Sequence, residues 1–190
     1  MLYIMRHGKT DWNAKYKLQG RTDVPINDEG REMARRAHDE YESVHFDVCY
    51  CSPLVRARET AEILLAGRDV PIITDYRLVE MCYGIYEGQE NSFSMPDCPI
   101  NTLFRHPELY TVPAEGAESL DDLYKRTGAF LEDTLYPALK KCLDVLIVGH
   151  GAMNCSIICQ VNGIPRKDFW SAGIENCKLK ELRPFEEQRG

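Results

Sequence analysis

The run Val145-Leu146-Ile147-Val148, apolar at every position and followed by Gly149-His150-Gly151, limits the fold more than any other stretch of the chain. A strand with no polar face must be covered on both sides, and a parallel sheet packed between helices meets that condition. The chain opens on the same design. Leu2-Tyr3-Ile4-Met5, with β-branched Ile4 inside it, runs into Arg6-His7-Gly8, where Gly8 permits a sharp turn. Ligands of open α/β sheets sit beyond the carboxyl ends of the strands. Both runs therefore deliver an imidazole to the edge where binding is expected, and the first adds a cation.

Residues 9–26 read as an irregular loop with Asn13, Gln19, Arg21 and Thr22, and Asn27 or Asp28 can cap a helix over 29–43 with Met33, Ala34, Ala37 and Tyr41 on one face. Phe46–Cys51 is a second buried strand. Ser52-Pro53 opens a helix over 53–66 whose apolar face, Leu54, Ala57, Ala61 and Leu64, leaves Arg56 off the core near the N-terminus. Pro71–Thr74 is a short third strand leading to Glu80. From Gly84 to Glu118 the pattern dissolves into Gly, Pro, Asn and Ser, as expected of a structureless lid or specificity insertion. Ser119 caps a helix running towards Lys141, which Pro137 kinks or interrupts; a helix of small residues follows Gly151, and Cys177–Leu182 is an edge strand. Strands alternate with helices throughout. The expected fold is α/β, a three-layer α/β/α sandwich with a mostly parallel sheet and a lid, forming one domain over 1–190.

The net charge of -7 disfavours nucleic acid and acidic membranes, which need a basic surface. There is no apolar run long enough to span a bilayer and no export signal, so a cytoplasmic protein is expected. Eight cysteines without a C-x-x-C pair then read as reduced, buried residues. His38, His45 and His106 read as surface residues, and no metal site is expected.

Arg6, His7, Arg56 and His150 at one sheet edge make an anion site, because guanidinium groups match phosphate oxygens bidentately. An unprotonated imidazole can attack phosphorus, and Glu80, after the third strand, is placed to protonate a leaving alkoxide and later to take a proton from water. Glu87 is the competing carboxylate. Arg6, Arg56 and a protonated His150 would carry the developing charge without a metal or other cofactor.

In order along the chain, Arg6-His7-Gly8 with Thr10 and Asn13, Gln19 to Asn27, Ser52-Pro53-Leu54-Val55-Arg56-Ala57-Arg58-Glu59-Thr60-Ala61, Glu80 with Tyr83 to Gly88, and Gly149-His150-Gly151 resemble the histidine phosphatase, or phosphoglycerate mutase-like, superfamily. The resemblance implies His7 as the phosphorylated nucleophile, Arg6, Arg56 and His150 as the phosphate pocket, and Glu80 as acid and base. It implies Asn13 as a phosphate-contacting amide, Gln19 and Thr22 as rim contacts, and Gly151 beside them. The family contains phosphatases and mutases. Between Gly84 and Glu118 the basic residues are Arg105 and His106, against six carboxylates. Unless Arg21 or Arg77 compensates, that wall would repel a doubly phosphorylated intermediate, which favours hydrolysis of a small phosphorylated metabolite over a phosphoglycerate mutase. A non-catalytic phospho-ligand binding protein is the reading of another class. A homodimer is compatible with each.

Overall fold

The structure is a computed structural model that describes residues 1–95, 97–111 and 115–182; residue 96 and residues 112–114 of the expected lid, and the C-terminal residues of the expected domain, lie outside the described residues. Five strands, β1 (Leu2–Arg6), β2 (Val48–Cys51), β3 (Ile72–Thr74), β4 (Val145–Gly149) and β5 (Leu179–Leu182), form one sheet in the order β3-β2-β4-β1-β5. The first four are mutually parallel, and β5 closes one edge antiparallel to β1.

The uniformly apolar sequence of β4 follows from its central place. Val145 and Ile147 belong to the core on one face with Leu2 and Ile4; Leu146 and Val148 belong to the core on the other with Met5, Cys49 and Cys51. All four β4 side chains are fully buried. Burial of each stabilises the fold by roughly 1.5–3 kcal/mol relative to exposure. The described helices are α1 (Asp11–Ala14), α2 (Asp28–Glu40), α3 (Val55–Leu64), α4 (Ile100–Arg105), α5 (Leu120–Phe130), α6 (Tyr136–Lys140) and α7 (Gly151–Asn162). Ala34 and Ala37 of α2 and Ala57, Ala61 and Leu64 of α3 cover one face; Leu123 and Phe130 of α5 and Ile157 and Ile158 of α7 cover the other. The expected three layers are present.

Three local expectations change. The loop over 9–26 contains α1, capped by Thr10, whose hydroxyl accepts from the Asn13 N–H while the Asn13 carboxamide oxygen accepts from the Thr10 N–H. Pro137 does not end its helix abruptly: a π turn over Leu131–Leu135 precedes it, and the proline falls in the first turn of α6, where a missing N–H is tolerated. The 84–118 segment is not structureless. It holds 3-10 turns at Gly84–Tyr86, Ser92–Ser94 and Pro107–Leu109 as well as α4, and Cys98, Ile100, Leu103 and Tyr110 bury themselves in the same core as β1 and β4. Its apolar residues are too irregularly spaced for either period to show in the sequence.

Candidate active site

Parallel pairing of β1 with β4, Arg6 beside Gly149, brings the two exits together, and the His7 N–H donates to the Gly149 carbonyl at 2.9 Å. The His7 and His150 ring centroids lie 5.2 Å apart. Gly8 has a packing reason for being glycine: a Cβ there would fall 2.7 Å from the Gly30 carbonyl oxygen at the start of α2.

The two rings are held differently. His7 Nδ1 stands 2.7 Å from the carbonyl oxygen of Gly8, which can only accept, so Nδ1 carries the proton and Nε2 keeps its lone pair. Burial, with Arg56 and Arg6 adding repulsion, pushes the His7 pKa well below its ordinary value, and the ring is neutral. At His150, Arg56 Nε–H donates to Nδ1 at 3.2 Å, so the proton sits on Nε2, which donates to the Ser52 hydroxyl at 2.7 Å. The expected protonated His150 is therefore corrected to a neutral ring. A second proton would face the Arg56 N–H, and burial together with Arg56 lowers the pKa well below normal.

Arg56 was expected off the core near its helix start. It is 0 % exposed. Its terminal nitrogens donate to the carbonyls of Thr22 at 2.8 Å and Gly20 at 2.7 Å, while two of the five guanidinium N–H groups remain for a ligand. The N-terminal turn of α3 is closed by Asp23, whose carboxylate accepts from the Val55 N–H. Arg6 presents its guanidinium to the same cavity, and its buried Nε has no hydrogen-bond partner among the described residues.

Glu80, 7 % exposed, accepts from three backbone N–H groups: its own neighbour Met81 at 2.8 Å, and Ala152 and Met153 in the first turn of α7 at 3.2 and 3.0 Å. The positive end of α7 complements the carboxylate. Gly151 separates Glu80 from Arg6. A Cβ there would lie 3.5 Å from Glu80 Oε2 and 3.9 Å from Arg6 Cζ, so a side chain would enter the cavity.

Arg6, His7, Arg56, Glu80 and Gly151, with Asn13 and Gln19, line one cavity of about 220 Å³. The Asn13 oxygen is taken by Thr10, which leaves its NH₂ for a ligand, and Gln19 is oriented by the Thr10 hydroxyl at 3.0 Å. Thr22 and His150 are the exceptions among the expected residues, since neither lines the cavity. The Thr22 hydroxyl donates to Glu87 and its carbonyl receives Arg56, while His150 is bonded to Arg56 and Ser52, so both support the site from behind. Glu87 is a clamp, accepting also from the N–H groups of Arg21, Thr22 and Tyr83. Sequence reasoning missed Ser52 as the partner of His150, although it leaves β2, the strand beside β4, at the same edge.

Among the described residues, His45, Asp47 and Asp144 have metal-ligand spacing. Asp47 and Asp144 precede β2 and β4 and so lie at the opposite end of the sheet from His7, with Asp144 paired to the N-terminal amine and Asp47 accepting from the Asp144 N–H. No described helix is long and apolar enough to cross a membrane.

Phosphoserine phosphatase 1 of Hydrogenobacter thermophilus is 28% identical over 188 residues, 99% of this chain and 88% of that protein. A 2,3-bisphosphoglycerate-dependent phosphoglycerate mutase of Cytophaga hutchinsonii is 31% identical over 171 residues, 89% of this chain and 80% of its own length. The solved structure of Bacillus stearothermophilus YhfR superimposes with a TM-score of 0.82 at 30% identity, covering 94% of this chain and 88% of that one. The histidine phosphatase superfamily (branch 1) matches residues 2–189, which includes every side chain of the cavity, and the chain belongs to that superfamily.

Proposed function

We propose that the chain hydrolyses a small phosphomonoester in two in-line transfers through His7. In the first, the lone pair on Nε2 attacks phosphorus, the bond to the leaving oxygen breaks, and Glu80 in its acid form gives that oxygen a proton. In the second, Glu80 as carboxylate takes a proton from water, the water oxygen bonds to phosphorus, and the N–P bond breaks, which releases phosphate and restores the neutral ring. Arg6, the two free N–H groups of Arg56 and the Asn13 amide hold the equatorial oxygens. His150, neutral and joined to Arg56, fixes that guanidinium from behind the cavity.

The observation that carries this reading is the state of His7: a buried neutral imidazole with Nδ1 bound to a carbonyl and Nε2 free beside two guanidinium groups. Hydrolysis is favoured over mutase chemistry because neither arginine considered as an offset to the acidic 84–118 segment is left unpaired to receive a second phosphate. Arg21 pairs with Glu118, and Arg77 pairs with Asp75 and Asp133. The decisive experiment is p-nitrophenyl phosphate turnover in EDTA, with rapid acid-alkali quenching to trap phosphohistidine. Turnover with an alkali-stable, acid-labile phosphoenzyme in the parent chain and none in His7→Ala is expected. Full activity in His7→Ala overturns the assignment, and phosphoryl transfer to phosphoglycerate matching transfer to water overturns the preference for hydrolysis.

A further inference from the structure

The tautomer of His7 depends on the Gly8 carbonyl, yet glycine is the residue least able to hold a carbonyl in place, since no Cβ restricts its backbone. The His7–Gly8 peptide also lies past Arg6, the last residue of β1, so the strand itself does not orient it. Two side chains from distant parts of the chain do. The Gly8 N–H donates to the Thr60 hydroxyl at 2.9 Å, and the His7 carbonyl accepts from the Asn176 amide at 2.6 Å. In a trans peptide the N–H and the C=O point in opposite directions, so the two partners grip one plane from both sides and oppose its rotation.

Each partner is itself fixed. Thr60 is fully buried in α3, one turn after Arg56, and its proton goes to the Arg56 carbonyl at 2.7 Å, which leaves its oxygen to accept from Gly8. A threonine inside a helix often bonds back to the carbonyl four residues earlier, and that contact alone would be local. The bond from Gly8, 52 residues away in sequence, ties the nucleophile to the helix that carries the guanidinium. Asn176 stands beside Arg6 in a parallel bridge, and the Cys177 N–H donates to the Arg6 carbonyl, so the amide is held against the exit of β1. Downstream, the Lys9 carbonyl accepts from the Asn27 N–H at 2.9 Å and secures Gly8 from its other side.

We propose that Thr60 and Asn176 are positioning residues that clamp the His7–Gly8 peptide and through it keep His7 in the tautomer with Nε2 free; the proposal rests on the phosphatase reading above, in which His7 is the nucleophile. Neither residue lines the phosphate cavity. Without either bond the plane can turn, the Gly8 carbonyl leaves Nδ1, and the ring proton can pass to Nε2, where it occupies the lone pair that attacks phosphorus. The test uses Thr60→Val, which keeps the shape and removes the hydroxyl, Thr60→Ser, which keeps the hydroxyl, and Asn176→Ala at the half-buried position. Rapid-quench phosphoenzyme formation from p-nitrophenyl phosphate reads the attack, inorganic phosphate binding reads the arginine pocket, and nitrogen NMR of isotope-labelled histidine reads the tautomer. Phosphoenzyme formation should slow by about tenfold or more in Thr60→Val and Asn176→Ala, the scale of one buried polar group left unpaired, and recover in Thr60→Ser. Phosphate affinity should stay at the parent value, and the His7 Nε2 signal should move from that of a bare nitrogen towards that of a protonated one. Parent-like rates in Thr60→Val and Asn176→Ala, equal losses in Thr60→Ser and Thr60→Val, or slowing with an unchanged His7 tautomer overturn the proposal, while phosphohistidine in the parent chain keeps the phosphatase reading intact. Absence of phosphohistidine in the parent chain overturns both.

Discussion

The exits of β1 and β4 spell nearly the same thing, Arg-His-Gly and Gly-His-Gly, and the pairing of the strands makes them neighbours. Their imidazoles nevertheless differ in the one respect that governs reactivity. His7 is bound through Nδ1 to its own following carbonyl and keeps Nε2 free; His150 is bound through both nitrogens, to Ser52 and to Arg56. Both are buried and neutral for the same electrostatic reason, so burial does not distinguish them. The hydrogen bonds do. A ring with a free lone pair can form a bond to phosphorus, whereas a ring with both nitrogens engaged can hold a neighbour in place. Proximity of two histidines is therefore weaker evidence for a nucleophile than the inventory of their four nitrogens.

The sharpest way to break this contrast is to remove each ring in turn. His7→Gln should lower kcat for p-nitrophenyl phosphate by at least about four orders of magnitude, as expected when a nucleophile is removed from a unit that works as one. His150→Gln should cost about 10²–10³, the scale of one transition-state contact, lost here when the Arg56 guanidinium is no longer held in place. Phosphoenzyme trapped by rapid quench should vanish in the first variant and persist, formed more slowly, in the second. Equal losses would show that the free Nε2 carries no special role.

How much of this contrast the sequence carried depends on the kind of contact. The uninterrupted apolar runs of β1 and β4 announce their burial on both faces, so the sheet and the shared edge were legible from 2–8 and 145–151. Arg56 was legible as a candidate through its helix-start position, but its complete burial was not, since that depends on the carbonyls of Gly20 and Thr22 coming from a loop without periodicity. Thr22 was misread for the same reason. Its hydroxyl faces Glu87, and no pattern in the chain links residues that far apart. The 84–118 segment hid α4 and its contribution to the core because six helical residues give too short a window for a 3.6-residue period. Ser52 stood at the end of β2 in plain view, but its importance follows from strand order, with β2 next to β4.

A smaller effect should appear in stability. His7 and His150 have folded-state pKa values below those of the unfolded chain, so between the two values the unfolded state binds more protons and stability rises with pH. This contribution is complete above an unfolded histidine pKa of about 6.5 and is lost as pH falls below it towards the folded values. Each group supplies a slope of at most about 1.4 kcal/mol per pH unit. Urea unfolding from pH 7.5 down to pH 5 should show the decline, and the double variant His7→Gln, His150→Gln should flatten it relative to the parent chain. Parallel curves would mean that the two rings together bind as many protons in the folded protein as in the unfolded chain, which would overturn the neutral state assigned to both exits.

The smallest change addresses what makes His150 the bound partner. Ser52 is fully buried, and its oxygen accepts both from His150 Nε2 and, at 3.3 Å, from the Leu54 N–H before α3. In Ser52→Ala the His150 N–H loses its acceptor, and leaving such a donor unpaired costs about 1–3 kcal/mol. The ring can escape that cost by moving its proton to Nδ1, and this would turn a second N–H towards Arg56 and release the guanidinium from its position. The expected result is a loss of roughly tenfold in kcat/KM if about half of that energy reaches the transition state, with Ser52→Thr restoring most of it because the hydroxyl is kept. A merely structural serine would lower the melting temperature in both variants without separating their kinetics. A separation in kcat/KM at matched melting temperature would show that the hydroxyl sets the His150 tautomer, and through it the placement of Arg56.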